Sequence, residues 1–199
     1  LPLITEAAVG LTIGAVLRLF ILALQTAAMM IAQATSLSQL LGGIGPEPLP
    51  AIGHLFVMAG LAVSVQAGLH VKLASLLILS YDLLPPGDLP GSGAFAEWGL
   101  WRVAEAFSLA FTLAAPFTIA SLLYNVALGA INRAMPALMV SFIGAPALAL
   151  GGLVLLALVA PLVLQIWLGH FEAFLAQPFT PPNATALQHW QRARPARRR

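Results

Sequence analysis

Residues 137–168 read ALMVSFIGAPALALGGLVLLALVAPLVLQIWL, a run without one charged side chain. An α-helix crosses the hydrocarbon core of a bilayer in roughly 20 residues, so this run is more than long enough. Gly144, Pro146, Gly151, Gly152 and Pro161 interrupt it. Glycine weakens a helix and proline kinks or breaks it; in a membrane both are tolerated where neighbouring helices take up the freed backbone groups. The small residues Ala145, Ala147, Ala149, Gly151 and Gly152 also let a second helix approach closely. The run reads as a membrane helix built to pack and to bend.

Working outward, the preceding block, from about Ala106 to Ile131, is also uncharged and carries Pro116. Between the two lies Asn132-Arg133-Ala134-Met135-Pro136, short enough to predict a helical hairpin. Two further apolar blocks stand upstream, from about Ala7 to Ala34 with Arg18 as its only charge, and from about Ala51 to Leu79 with Lys72 near its end. Pro- and Gly-rich breaks at 42–50 and 85–93 separate the blocks, combining flexible glycines with prolines that cannot donate to a helix. Helices are the default reading of each block, because lipid offers the backbone no partners.

Composition agrees. Of 199 residues 60% are hydrophobic and 8% charged, with a mean hydropathy of +0.93, where soluble domains carry about a quarter charged residues. Too few charges are present to cover a solvated surface, so lipid or apolar protein must cover it. The expected architecture is an all-α membrane domain over residues 1–177, with long helices broken by Gly and Pro and a C-terminal helical hairpin. Residues 178–199 are expected to form a disordered Pro- and Arg-rich tail. Five of the nine basic residues (Arg192, Arg194, Arg197, Arg198, Arg199) fall in that tail, which suits either anionic headgroups or acidic protein, or a frayed, solvated end. Without interleaved aromatics or a supporting domain it does not read as a nucleic-acid site.

Few residues invite chemistry. There is no cysteine, hence no thiolate ligand or nucleophile. His54, His70, His170 and His189 are scattered without ligand spacing, and Gly42, Gly43 and Gly45 lack the Lys-Ser/Thr of a phosphate loop. Asp88, Glu97 and Glu105 flank a loop and a helix start, ordinary places for acids. We read no catalytic, cofactor or metal site.

Arg18 is more informative. An arginine in mid-helix costs at least roughly 2.5–3.5 kcal/mol on insertion scales. At 100° per residue, Arg18, Gln25, Met29 and Gln33 fall within a sector of about 80°, a polar stripe on an apolar helix. It faces either a wet cavity or acidic partner, or snorkels to the interface. Gln66 and His70, at i and i+4, would share a helix face, as a proton-relay element or as a hydrogen-bonded packing pair.

The order of motifs goes further. Glu6 precedes Val9-Gly10-Leu11-Thr12-Ile13-Gly14; Gln33 follows a Met pair and comes before Gly45-Pro46; Gly68-Leu69-His70 leads to Ser80-Tyr81 and Pro85-x-Gly87. Pro116 is followed by Asn125-Val126-Ala127-Leu128-Gly129-Ala130-Ile131, then Arg133 and Pro136, then Gly144-Ala145-Pro146. In this order, over residues 6–175, the sequence resembles the FliR/SctT family of export-gate proteins from flagella and type III secretion systems. Glu6, Pro116, Asn125, Gly129, Arg133, Pro136, Gly144 and Pro146 carry the match. The chain departs from the family pattern at Ala34, Gly45 and Ala137, where the resemblance leads one to expect glycine, aspartate and glutamine.

The resemblance implies a single-copy, non-enzymatic subunit that closes a helical hetero-oligomer with FliP- and FliQ-type subunits, beside an FlhB-type subunit. Its place would be the bacterial inner membrane, in the flagellar basal body, and its cargo unfolded export substrates. No cofactor is called for, since a separate ATPase and the proton-motive force would supply the energy. The loop from Gln33 to Pro50, with Gly42, Gly43, Gly45 and Pro46, would plug the channel. Further hydrophobic helices would precede Leu1. A small-solute transporter subunit is the alternative, with Gln66 and His70 lining a midplane site; it calls for an inverted repeat, and none is evident.

Overall fold

A computed structural model of the chain describes residues 2–35, 51–83, 92–134 and 140–178. They form five helices: α1 (Pro2–Ala34), α2 (Ala51–Gln66), α3 (Leu69–Leu83), α4 (Ser92–Ala134) and α5 (Val140–Ala176). Among the described residues there is no strand. Stretches long and apolar enough to cross a bilayer occupy α1 (Thr5–Ala34), α4 (Ala96–Ile131) and α5 (Pro146–Ala176). The all-α membrane architecture is therefore present.

α1 is the centre of the fold. Ile13, Val16, Phe20, Leu24, Ala27 and Ile31 are buried at spacings of three and four, which is one stripe of a helix. α4 lies along that stripe with Leu109, Leu113, Ala114 and Phe117 buried. α5 adds Val163, Trp167, Phe171 and Phe174. The Phe20 ring meets Phe171 edge-on at 5.3 Å and Phe174 at 5.4 Å, and Trp167 stacks on Phe171 at 5.2 Å. The Trp167 Nε1 donates to the Phe20 carbonyl at 2.9 Å, giving the buried indole N–H its partner. α2 presents Ile52, Phe56, Gly60 and Ser64, all buried and four residues apart.

α4 and α5 run antiparallel. Trp98 and Arg102, at the start of α4, both donate to the carbonyl of Pro178, just beyond α5. This is the expected hairpin, with the connecting residues 135–139 outside the described part. Helix α4 begins at Ser92 and continues through Arg133 to Ala134, so residues 92–93 and 132–134, expected within the breaks, are helical. The loop around 42–50 and the tail beyond 178 lie outside the described residues.

One expectation is corrected. The apolar block 51–79 is not one helix: α2 and α3 meet at 74°. Gly68 is the cause, with φ of +79°, a conformation that costs a residue with a Cβ about 1–2 kcal/mol. Its N–H turns to the Val65 carbonyl at 3.1 Å, and its own carbonyl accepts from Val71 and Lys72 at 3.0 and 3.1 Å. One glycine thus ends α2 and opens α3.

Only one flank of this bundle is covered. Of the most apolar stretches of α1, α4 and α5, 28%, 28% and 17% is buried within the chain. Phe107, Phe111, Leu122, Leu123 and Val126 on α4, and Leu150, Val154 and Leu158 on α5, stand exposed. No soluble monomer leaves such a surface open; this is a membrane protein.

Candidate functional site

The face of α1 opposite its core stripe carries the polar residues. Arg18 and Gln33 are exposed, Gln25 and Met29 half-buried, and Leu11 and Leu22 stand between them, also exposed. The geometry follows from the period: the buried positions of α1 centre roughly 180° from this sector. Arg18, Gln25, Met29 and Gln33 thus fall on one side of α1, a side turned away from most of its buried positions. It runs toward the segment 36–50.

That segment starts from a fixed root. Thr35 is buried, its N–H and its hydroxyl both donate to the Ile31 carbonyl at 3.0 and 2.7 Å, and it lies directly against Gly152 of α5. A Cβ on Gly152 would fall 2.6 Å from the Thr35 Cβ and 2.7 Å from its Cγ2. On the far side, Ile52, Gly53 and Phe56 hold the start of α2 in the core. The described residues on either side, Thr35 and the start of α2, are anchored; residues 36–50, with Gly42, Gly43, Gly45 and Pro46, lie outside the described residues.

The base of the hairpin holds a buried cation. Arg102 is 4% exposed, and its guanidinium donates to Glu105 at 2.8 Å and to the Pro178 carbonyl at 2.7 Å. It lies 4.3 Å from the Trp101 ring, 4.9 Å from Phe174 and 5.6 Å from Trp98, close enough for cation–π attraction. Its Nε has no hydrogen-bond partner. Nearby, Lys72 of α3 forms an ion pair with Glu172 of α5. Neither long-range pairing is written in the local sequence. A signal existed for the first: a lone basic residue flanked by Trp98 and Trp101, with Glu105 at i+3. Glu172, a lone acid at the end of an apolar run, showed nothing of its partner a hundred residues away.

Other expected residues are spread out. Gln66 and His70 are both exposed but fall on either side of the Gly68 break, so they share no helix face, since the i, i+4 relation needs a continuous helix. His54 and His170 are exposed, and the His170 Nδ1 donates within its own helix to Ile166 at 2.9 Å. Among the described residues no three His, Asp or Glu side chains gather as a metal site would need. Of the residues carrying the family resemblance, Glu6, Pro116, Asn125, Gly129, Arg133 and Pro146 are exposed. Asn125, Gly129 and Arg133 share one face of α4 at four-residue spacing, with the Asn125 Nδ2 donating to the Ser121 hydroxyl at 3.4 Å. Gly144 lies within α5 and Pro136 outside the described residues.

Comparison with known proteins matches this frame. The family described as bacterial export proteins, family 1, matches residues 1–174. The flagellar biosynthetic protein FliR of Caulobacter vibrioides is 33% identical over 174 residues, covering 86% of this chain and 69% of the relative. FliR of Aquifex aeolicus is 28% identical over 172 residues, covering 86% of this chain and 67% of the relative. FliR of Escherichia coli K12 is 32% identical over 120 residues, covering 58% of this chain and 44% of the relative.

Proposed function

From the premise that this chain belongs to the bacterial export proteins, family 1, we propose that it is a non-enzymatic core subunit of a flagellar protein export gate. The match over residues 1–174, with relatives named as flagellar FliR proteins, carries this reading. The uncovered apolar faces of α4 and α5 support it physically, because they call for sister helices or lipid. By family likeness those sisters are FliP- and FliQ-type subunits, with an FlhB-type subunit beside them, in the bacterial inner membrane. The passengers are unfolded export substrates.

Within that assembly the polar stripe of Arg18, Gln25 and Gln33 lines a wet passage, and residues 36–50 close it. Two features support a closing role. The residues that flank the segment are anchored, Thr35 against Gly152 and the start of α2 in the core. Its Gly42, Gly43 and Gly45 allow the backbone freedom that a displaceable segment needs.

The chain has no cysteine, so a cross-link can be placed cleanly. Cysteines introduced in 36–50 and on the facing channel wall, once bridged in cells, are expected to stop secretion of flagellar substrates, and reduction to restore it. Secretion that continues undiminished with efficient bridging would overturn the plug. Failure of the chain to co-purify with FliP- and FliQ-type proteins would overturn the gate itself.

A further inference from the structure

Helix α3 is attached to the rest of the molecule in a way that α2 is not. α2 has five buried positions along its length, Ile52, Gly53, Phe56, Gly60 and Ser64. Of the described side chains of α3, only Leu76 and Ser80 are buried, while Val71, Leu77, Ile78 and Tyr81 are 59%, 45%, 69% and 56% exposed. The two helices join through Gly68, whose positive φ only a residue without a Cβ adopts freely. Nothing lies within 4 Å of the place where its Cβ would be, so the elbow turns in open space. The Lys72–Glu172 ion pair adds the one charged tie from α3 to α5 among the described residues. It sits one helical turn beyond the elbow, about 6 Å along α3, where a small displacement corresponds to a larger one at the far end of the arm.

We propose that α3 is an arm hinged at Gly68 and that Lys72–Glu172 is its latch. With the pair made, the arm is folded at 74° against the end of α5. With the pair broken, α3 swings toward the axis of α2, and Ala51–Tyr81 becomes one apolar span. Composition permits both states, since the two helices together pass as a single crossing. Both side chains are part-exposed, 38% and 40%. Such an ion pair is worth little in water and more where lipid replaces water. It tips a hinge with little else to hold it, and its loss removes that preference. The latch is independent of what segment 36–50 does.

The size of the motion sets the measurement. Ile78 lies ten residues beyond Gly68, about 15 Å at 1.5 Å per residue; a swing through the full 74° bend carries it about 18 Å. Spin labels on Ile78→Cys and Leu158→Cys, both exposed positions, report this by pulsed EPR on the full chain in lipid nanodiscs. The native pair is expected to give one narrow distance population. Lys72→Glu and Glu172→Lys alone each introduce like charges and should shift or broaden it toward a displacement of that size. The combined Lys72→Glu/Glu172→Lys protein restores opposite charges and should return the narrow population. Glu172→Gln, which keeps the shape and an acceptor, should broaden it partly and guards against loss of folding in the reversals. Unchanged distances in Glu172→Gln and both reversals, or a double reversal no narrower than the singles, would overturn the latch.

Discussion

Gly151 and Gly152 are neighbours in α5 with opposite expected responses to a methyl group. At Gly151 a Cβ meets nothing within 4 Å, whereas at Gly152 it falls 2.6 Å from the Thr35 Cβ and 2.7 Å from the Thr35 Cγ2. Carbon atoms rest at about 3.5–4.0 Å, so α1 and α5 must part locally by roughly 1 Å. Rotating the Thr35 side chain moves Cγ2 but leaves Cβ where the backbone holds it, and the hydroxyl is tied to Ile31. Overpacking of this kind costs about 1–3 kcal/mol, against which alanine gains about 1 kcal/mol over glycine in a helix. Gly151→Ala should therefore stabilise by about 1 kcal/mol and Gly152→Ala destabilise by about 1 kcal/mol, a separation of roughly 2 kcal/mol between adjacent residues. Thermal unfolding of the detergent-purified protein, followed by tryptophan fluorescence, reads the difference, because Trp167 is 2% exposed in the native core. Adding Thr35→Gly to Gly152→Ala should recover part of the loss, a favourable coupling absent from the Thr35→Gly/Gly151→Ala combination. Equal stability of the two alanine variants, or no coupling to Thr35, would refute the close approach of the loop root to α5.

Gly68→Ala places a Cβ on a residue at φ +79°. Strain of about 1–2 kcal/mol in the bent form and about 1 kcal/mol of helix propensity in the straight form both favour straightening; the Ile78–Leu158 label distance should shift even with the ion pair intact. At the hairpin base, Arg102→Met removes a buried cation while leaving the Trp98 bond to Pro178, and its unfolding midpoint should stay close to wild type, since apolar replacement of buried charge is often tolerated. Glu105→Ala instead leaves Arg102 charged and 4% exposed, and should cost about 2 kcal/mol, moderated by the Pro178 carbonyl and the aromatic rings. A larger loss for Arg102→Met than for Glu105→Ala in the same unfolding assay would reverse that ordering.

How much of this was legible depends on whether the signal was one-dimensional. Charge depletion over 137–168 and 106–131 is a property of consecutive residues, and bilayer thickness turns it directly into helices. The α1 stripe was legible for a similar reason: Arg18, Gln25 and Gln33 need only the 100° step to be placed on one face. The Gly68 elbow was not, because glycines are frequent in membrane helices and a positive φ leaves no mark on the letters around it. The contact of Arg102 with Pro178, 76 residues on, and that of Lys72 with Glu172 need the hairpin to be folded before they exist. The exposed faces mark the deeper limit. Phe107 and Phe111 stand 56% and 61% exposed, one turn apart on α4, beside a core that already has its aromatic cluster in Phe20, Phe171 and Phe174. Nothing among the described residues accounts for such side chains at such positions. Their apolar character is set by whatever covers them, lipid or sister helices, so a single sequence announces that a covering is required and leaves its shape to the other chains.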